Sequence, residues 1–218
     1  MNILDLASAP TLAETAYQTV ESLIVTLELE PGTVFSEGDL SRALNIGRTP
    51  LREALQRLAT DGLVSSMPRR GMMVTPINLT DMLSVIEARK VLDRVIMDGA
   101  AKNATAENRT AIRNAVVQME AADATRPREF MVADYLLDRA IWDAAPNQFA
   151  VQAARPLHSH CRRFWFKFRN DEDLQRSADL HQSVVDAVLA GDQLAARERS
   201  DKLLDYLTLF TKHILIAG

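Results

Sequence analysis

The sequence lacks the features that mark secreted, membrane-spanning and zinc-finger proteins. Cys161 is the one cysteine among 218 residues, which excludes an internal disulfide and a thiol-rich zinc finger. No apolar run approaches the roughly 20 residues needed to cross a bilayer. A secretory signal begins with a basic segment followed by an apolar core, and the N-terminus lacks this pattern. We therefore expect a cytoplasmic protein that does not use a membrane as a partner.

A net basic charge is also missing, although one stretch concentrates positive charge. The formal net charge is −4, unlike that of a simple nucleic-acid-binding protein. Residues 1–78 contain six arginines and no lysine against nine acidic residues, yet residues 47–71 contain five of those arginines against two acidic residues. Because salt screens charges over about 10 Å, the local potential decides attraction. Residues 47–71 are therefore a candidate anion-binding surface.

Residues 36–71 have the pattern of a winged helix-turn-helix. One helix is predicted from Ser36 to about Leu44, and after a tight turn a second begins at Arg48 and stops before Gly62. Ser36 with an acidic residue three positions later is close to a capping box. Leucines recur at helical spacing in both segments, so the two helices are expected to share one buried face.

Two apolar runs joined by a basic tip follow and predict a hairpin, the wing. Arg48 and Arg52 lie four residues apart and project from one face at the start of the second helix, where a recognition helix meets base edges and phosphates. Solvated arginines on an amphipathic helix would explain this pair, but not the turn and the hairpin. The predicted DNA contacts are Arg48, Thr49 and Arg52 of the helix and Arg69, Arg70 and Gly71 of the wing.

This stretch resembles the N-terminal DNA-binding domain of the GntR family of bacterial transcription regulators. The matching residues are Phe35-Ser36-Glu37, Leu40, Leu44, Ile46, Arg48-Thr49-Pro50-Leu51-Arg52-Glu53-Ala54-Leu55, Leu58, Gly62-Leu63-Val64, Pro68-Arg69-Arg70-Gly71 and Val74. Gly38 departs from the family pattern, because many members carry an arginine there that contacts the operator. Gly47 replaces the usual Ser or Thr. Each departure removes a DNA contact that the family pattern would supply.

The rest of the chain is predicted to be an antiparallel helical bundle, because no strand-like alternation follows the linker at residues 77–80. Another amphipathic helix is expected over residues 11–29, ended by Pro31-Gly32. The sequence thus predicts a mainly α protein with two domains, residues 1–78 and 79–218. The six helices of the bundle are predicted at residues 79–101, 105–124, 127–144, 147–168, 172–190 and 192–215.

Three stretches of the bundle resemble the FadR-type ligand-binding domain of one GntR subfamily. They are Arg89-Lys90-Val91-Leu92-Asp93, residues 134–147 beginning Asp134-Tyr135-Leu136-Leu137-Asp138, and His181 with Gly191-Asp192 and Ala196. The resemblance implies a homodimeric regulator that binds a pseudo-palindromic double-stranded operator through its first domain. It also implies that the second domain binds a small-molecule effector and the dimer partner. The subfamily contains repressors and activators, and we expect a repressor that effector binding releases from DNA.

Most domains of this subfamily hold a divalent metal with one aspartate and three histidines. Asp134 and His181 match two of these ligands, whereas Asp138 and Leu203 stand where histidines are expected. Asp134 and Asp138 share a helix face and, with His181, could still bind zinc, nickel or manganese. The apolar stripe that includes Leu203 favours the other form, a drier pocket without metal that takes a larger apolar effector.

Arg89 is the candidate anchor for a small anionic effector, because a guanidinium binds a carboxylate through two parallel hydrogen bonds. It could instead pair with Asp93 or Asp134. The predicted effector-binding residues are Arg89, Asp134, Asp138 and His181, converging on one cavity with Leu203 on its wall. A helical-bundle metalloenzyme is the alternative class of protein, but no motif supplies a nucleophile, so no catalytic residue is predicted.

Other polar and aromatic residues of the bundle carry weaker expectations. His158 and His160 lie two residues apart and should face different sides of a helix, which makes them poor joint ligands. The two tryptophans, Trp142 and Trp165, are expected in the core. Arg162 could line the pocket or lie on the surface, and the sequence does not decide between the two.

Overall fold

The structure is a computed structural model that describes residues 10–122 and 126–217. Within those ranges the chain forms nine helices and three short strands. Contacts between residues divide the chain into two compact units, of which the first ends at Ile77 and the second begins at Asn78. Among the described residues, no helix combines the length and apolar character needed to span a bilayer.

The first unit is a winged helix-turn-helix, which confirms the predicted fold. Its three strands form an antiparallel sheet in the order β1-β3-β2, with Val34 opposite Met73 and Val64 opposite Val74. The two-residue strand β1 is an element that the sequence does not predict. The elements are α1 (Leu12–Val25), β1 (Val34–Phe35), α2 (Glu37–Leu44), α3 (Arg48–Thr60), β2 (Val64–Met67) and β3 (Gly71–Val74).

Helix α1 is shorter than predicted, because it ends at Val25 and not near residue 29. Leu27 adopts a left-handed backbone with φ of 60°, so the chain leaves the helix before Pro31 is reached. Apolar periodicity continued past the true end because Leu29 also packs against the core of this unit. Periodicity reports burial, and a loop residue can be buried without being helical.

Leucines at helical spacing form the core of the first unit, as predicted. Leu51, Leu55 and Leu58 of α3 are at most 1% exposed and pack with Val20 and Ile24 of α1. Because the buried face of α3 is fully occupied in this way, its opposite face is left to solvent. That opposite face carries the arginines discussed below.

The second unit is a bundle in which α4 is the central helix, packing against α6, α7, α8 and α9. Each predicted helix start agrees with the structure within one residue. The last predicted residues of α5, 123 and 124, lie outside the described residues. The helices are α4 (Leu79–Asn103), α5 (Ala106–Ala121), α6 (Pro127–Ala144), α7 (Gln148–Phe168), α8 (Asp171–Ala190) and α9 (Gln193–Ala217).

Side-chain caps explain where the bundle helices begin. Asn78, Thr105, Asn147 and Asn170 each accept a hydrogen bond from a first-turn amide of α4, α5, α7 and α8. These bonds satisfy backbone donors that have no partner inside the helix. Helix α8 ends at Gly191, whose left-handed φ of 74° suits a residue without Cβ.

Candidate functional site

The first turn of α3 presents unused hydrogen-bond donors. Its N-cap, Gly47, has no side chain to bond the first-turn amides, and Arg48 and Thr49 beside them are exposed. Amides at a helix N-terminus point outwards and the helix dipole favours negative charge there. The absence of a Ser or Thr cap therefore leaves this end of α3 open to a phosphate.

Arg52 extends the same surface and is held by an ion pair. Its Nε donates to Oε2 of Glu37 over 3.0 Å, which links α3 to α2. The Arg52 side chain is 61% exposed. An ion pair this open to water contributes little to stability, so the guanidinium can exchange Glu37 for another anion.

The wing places Arg69 and Arg70 at its exposed tip. The tip is a tight turn in which the amide of Arg70 donates to the carbonyl of Met67 over 3.0 Å. Gly71 follows with φ of 102°, and a Cβ there would lie 2.3 Å from the carbonyl oxygen of Phe35. The predicted DNA-contact residue Gly71 thus has a structural reason of its own, because only glycine lets β1 approach β3 this closely.

The fifth arginine of the basic stretch, Arg57, is engaged within the unit. Its Nη1 donates to Oε2 of Glu14 over 2.7 Å, and its guanidinium lies 4.4 Å from the ring centroid of Tyr17. Arg57 therefore ties α3 to α1. Four arginines remain for the candidate DNA surface, which we define as Arg48, Thr49, Arg52, Arg69 and Arg70.

A second site lies inside the bundle, where seven ionisable side chains meet. Each of the seven is at most 12% exposed at its side chain. Buried charges persist only when they are paired and hydrogen-bonded. We call this group the charged cluster: Arg89 and Asp93 of α4, Asp134 and Asp138 of α6, His158 and Arg162 of α7, and His181 of α8.

His158 lies at the centre of the cluster between two carboxylates. Its Nδ1 is 2.6 Å from Oδ2 of Asp138 and its Nε2 is 2.8 Å from Oδ1 of Asp93. Both ring nitrogens face acceptors, so the geometry suits the doubly protonated ring. Burial and the charge of Arg89 lower the pKa of His158, but the two carboxylates outweigh them and the net shift is upward.

Arg162 bridges the two aspartates of α6. Its Nε donates to Oδ2 of Asp134 over 2.6 Å and its Nη2 donates to Oδ2 of Asp138 over 2.5 Å. Burial raises the pKa of Asp138, but His158 and Arg162 outweigh it and hold this pKa well below its usual range. Burial and the charge of Asp138 raise the pKa of Asp134, but His181 and Arg162 outweigh them and lower it, so both carboxylates stay ionised inside the protein.

Arg89 and His181 complete the cluster on either side of this bridge. Nε of Arg89 donates to Oδ2 of Asp93 over 3.0 Å. Of the two partners that the sequence suggested for Arg89, this hydrogen bond joins it to Asp93, on the same helix. Nε2 of His181 is 3.0 Å from Oδ1 of Asp134, and its Nδ1 is 2.7 Å from the carbonyl oxygen of Ser177. Burial lowers the pKa of His181, and the hydrogen bond with Asp134 more than compensates and raises it.

One side of the cluster faces a cavity of about 40 Å³, which is room for a few water molecules at about 10–15 Å³ each. Phe130 and Trp165, with ring centroids 5.3 Å apart, stack in its wall. Asp138 is turned towards His158 and is not part of the lining, which corrects the prediction that it faces the cavity. The lining residues are Arg89, Phe130, Met131, Asp134, Cys161, Arg162, Trp165, Ser177, His181, Leu203, Leu204, Tyr206 and Leu207.

The predicted metal ligands do not fit a divalent cation in this arrangement. Asp134 and Asp138 both accept hydrogen bonds from Arg162. A ligating histidine needs an unprotonated nitrogen, whereas both ring nitrogens of His181 face acceptors. Among the described residues, no group of three or more His, Cys, Asp or Glu side chains is placed to hold a metal.

Sequence reasoning missed the part of the cluster that comes from α7. It set His158 aside because His160 faces elsewhere, and it left Arg162 undecided. The useful signal was spacing, because α4, α6 and α7 each contribute an ionisable pair four residues apart. The pairs are Arg89 and Asp93, Asp134 and Asp138, and His158 and Arg162, and residues at this spacing share a helix face.

Comparison with known proteins identifies the family of each of the two units. Residues 12–74 match the model for bacterial regulatory proteins of the gntR family, and residues 84–206 match the FCD domain. The chain is 26% identical over 220 residues to the uncharacterized HTH-type transcriptional regulator YieP of Escherichia coli, covering 91% of this chain and 95% of YieP. It is 26% identical over 177 residues to a probable D-xylose utilization operon transcriptional repressor of Paenarthrobacter nicotinovorans, covering 81% and 78% of the two chains.

Solved structures share the fold over nearly the whole chain. E. coli McbR/YncC superposes with a TM-score of 0.80 at 16% identity, covering 94% of this chain and 99% of that one. A GntR regulator from Rhodococcus sp. RHA1, described as putative, superposes with a TM-score of 0.72 at 19% identity, covering 92% and 97%. The chain therefore belongs to the GntR family of bacterial transcription regulators, with an FCD domain, the FadR-type ligand-binding domain, as its C-terminal half.

Proposed function

We propose that this transcriptional regulator binds its operator with the exposed arginines of α3 and the wing, and that it responds to a small anionic effector held in the bundle. As a regulator of gene expression it would act in the cytoplasm. It would bind a pseudo-palindromic operator as a homodimer, so that two copies of α3 enter successive major-groove faces. Effector binding would release it from DNA, the direction that the family resemblance implies.

Operator binding is supported by the exposure of the positively charged side chains on α3 and the wing. Arg48 and Thr49 are exposed beside the open N-terminus of α3. Arg52 is held only by a solvent-exposed partner. Arg69 and Arg70 stand at the exposed tip of the wing, where a minor groove could accept them. None of these groups must leave a buried partner to reach a phosphate or a base.

The effector half of the proposal depends on the charges that line the cavity. Arg89 and Arg162 contribute two guanidinium groups, against one carboxylate from Asp134. Such a lining attracts an anion and repels a cation. The aromatic wall of Phe130 and Trp165 would cover the carbon skeleton of the effector. A larger, wholly apolar effector, the alternative from the sequence, would make no use of these charges, which already pair with Asp93, Asp134 and Asp138.

The path from effector to DNA would begin with α4. This helix starts at Leu79, directly after the first unit ends at Ile77. It also carries Arg89 and Asp93, so an anion that draws Arg89 from Asp93 acts on the helix that continues from the DNA-binding unit. A ligand shifts such an equilibrium only through its different affinity for the two arrangements.

Operator binding can be tested with a labelled DNA fragment from upstream of the gene, followed by fluorescence anisotropy. Arg52→Ala should weaken specific binding by about 1–3 kcal/mol if the side chain contacts a base. Arg113→Ala is the matched control, because Arg113 is an exposed arginine of the bundle. Equal affinity of Arg52→Ala and the control would overturn the assignment of this surface.

The chemical class of the effector can be tested with acetate, malonate, succinate and citrate. Succinamide, which carries no charge, is the control for succinate. A binding carboxylate should raise the thermal stability of the bundle, by about 2.7 kcal/mol at a concentration of 100 times its Kd. Arg89→Gln should abolish that shift, and Arg113→Gln should keep it. A shift that persists in Arg89→Gln would place the effector elsewhere.

A further inference from the structure

The guanidinium of Arg162 lies between the two carboxylates that the sequence suggested as metal ligands. It donates to Asp134 over 2.6 Å through Nε and to Asp138 over 2.5 Å through Nη2. Hydrogen bonds between a guanidinium and carboxylates are charge-assisted and belong to the strong ones in proteins. The side chain is 5% exposed, and its guanidinium carbon lies 5.3 Å from the ring centroid of Tyr135. Arg162 is therefore a buried, well-fixed positive charge.

We propose that Arg162 is the resident cation of the bundle site, so that this regulator senses its effector without a divalent metal. The inference goes beyond the proposed function, because it identifies the cation that pairs with Asp134 and Asp138, whereas the proposed function concerns the effector. It assigns to α7 a positive charge that a bound metal would otherwise supply.

Arg162 competes with a metal for the carboxylate pair, because its nitrogens occupy the Oδ2 atom of each carboxylate. A metal bound to Asp134 and Asp138 would lie about 2.0–2.2 Å from their oxygens. Nitrogens of Arg162 already lie 2.6 and 2.5 Å from those oxygens. A metal could bind these two oxygens only if the guanidinium left them. While Arg162 stays, its positive charge repels an approaching metal.

Removal of Arg162 from the pair is opposed by its surroundings. An arginine does not lose its proton in a protein, so no change of pH makes it neutral. The side chains of Phe130, Trp165 and the leucines of the cavity wall offer no hydrogen-bond acceptor to a displaced guanidinium. Its departure would also leave two ionised carboxylates without this partner, which is strongly unfavourable in a buried site.

Metal binding to the purified, untagged full-length protein tests the proposal. After dialysis against a chelator, zinc, nickel and manganese are titrated separately by isothermal calorimetry. Four chains are compared: wild type, Asp134→Asn, Arg162→Ala and the double variant Arg162→Ala with Asp134→Asn. Arg155→Ala is the matched control, because Arg155 is an exposed arginine on the same helix.

We expect wild type, Asp134→Asn and Arg155→Ala to bind each metal with equal affinity. Asp134 would then not be a ligand of any metal that the wild type binds. Arg162→Ala should gain one site per chain that is tighter than any wild-type binding by about tenfold or more. The double variant should lose that site. Operator affinity of the wild type should not change when EDTA is added.

Two results would overturn the proposal. One is a metal bound to the wild type in a one-to-one ratio and lost in Asp134→Asn. The other is an Arg162→Ala chain that keeps its helical circular dichroism and gains no site. The wild-type and Asp134→Asn measurements do not depend on how well Arg162→Ala folds. Arg162→Lys, which keeps the positive charge, should fold and remain without a metal site.

Discussion

Arginine serves the two units of this protein in opposite environments. Arg48, Arg52, Arg69 and Arg70 of the first unit are exposed. Arg89 and Arg162 of the second are 8% and 5% exposed and donate to buried carboxylates. The side chain is the same, but an exposed guanidinium is screened by salt and exchanges partners readily, whereas a buried one gives up a carboxylate only for another anion.

The comparison teaches that an exposed arginine can recognise DNA without stabilising the fold, whereas a buried one also stabilises the structure around it. Removing an arginine of the candidate DNA surface should change DNA binding and leave stability nearly unchanged. Removing a member of the charged cluster should do the reverse, because its partners lose a counter-charge where water cannot replace it. The predictions below test this separation, from the largest expected effect to the smallest.

Asp138→Ala should destabilise the bundle most. It removes the acceptor shared by His158 and Arg162 and leaves both buried, at a cost of about 3–5 kcal/mol. Urea unfolding followed by tryptophan emission measures this unit alone, because both tryptophans, Trp142 and Trp165, lie in it.

The control for Asp138→Ala is Asp143→Ala, because Asp143 is an exposed aspartate on the same helix. Its effect should stay within about 0.5 kcal/mol of the wild type. Equal losses in the two variants would show that the cluster does not stabilise the bundle.

Gly71→Ala should disrupt the wing without removing any charge. Its Cβ would meet the carbonyl oxygen of Phe35 at 2.3 Å in a backbone with φ of 102°, and backbone strain of this kind costs about 1–3 kcal/mol. Hydrogen exchange of the β2 and β3 amides should accelerate. Gly38→Ala is the control, because its Cβ would meet only Ser36 Oγ, at 3.9 Å, and exchange in the sheet should not change.

Arg70→Ala should reduce the salt dependence of DNA binding. If Arg70 neutralises one phosphate, the slope of log affinity against log salt should become shallower by about 0.9. Anisotropy titrations over a range of salt concentrations measure it, with Arg113→Ala as the control from the bundle. An unchanged slope would remove the wing tip from the DNA surface.

Asp205→Ala should have the smallest effect. It breaks an ion pair between α4 and α9 in which Nζ of Lys90 lies 2.6 Å from Oδ1 of Asp205. The Asp205 side chain is 62% exposed, and such pairs contribute about 0.2–1 kcal/mol. A loss as large as that of Asp138→Ala would contradict the separation by exposure.

The fold was predictable because its signals are local. Ser36 accepts the amide of Asp39 over 3.0 Å as the capping pattern indicated, and buried Leu51, Leu55 and Leu58 have the helical spacing that predicted them. The end of α1 was not predictable from the same pattern, because Leu29 is partly buried outside the helix. Burial and helicity usually coincide along a sequence, but not at a helix end.

The bundle site was only partly predictable because it joins four helices. Asp134 and His181 could be named from the sequence, and the structure places them 3.0 Å apart. The role of Arg162 and His158 depends on which face of α7 turns to the centre, and that face is set by packing against α4 and α6. Spacing within one helix shows which residues share a face, but not what that face meets.

The pairing within the charged cluster also limits how the site can change by mutation. Asp138 contacts His158 and Arg162, while Asp134 contacts Arg162 and His181. A single replacement therefore leaves at least one buried side chain without its partner. How much it destabilises the bundle depends on which other replacements have already occurred. Asp138→His made first would bring another nitrogen against Arg162, whereas the same change after loss of Arg162 would meet open space. The order of substitutions, and not only their identity, would decide which descendants of this chain can fold.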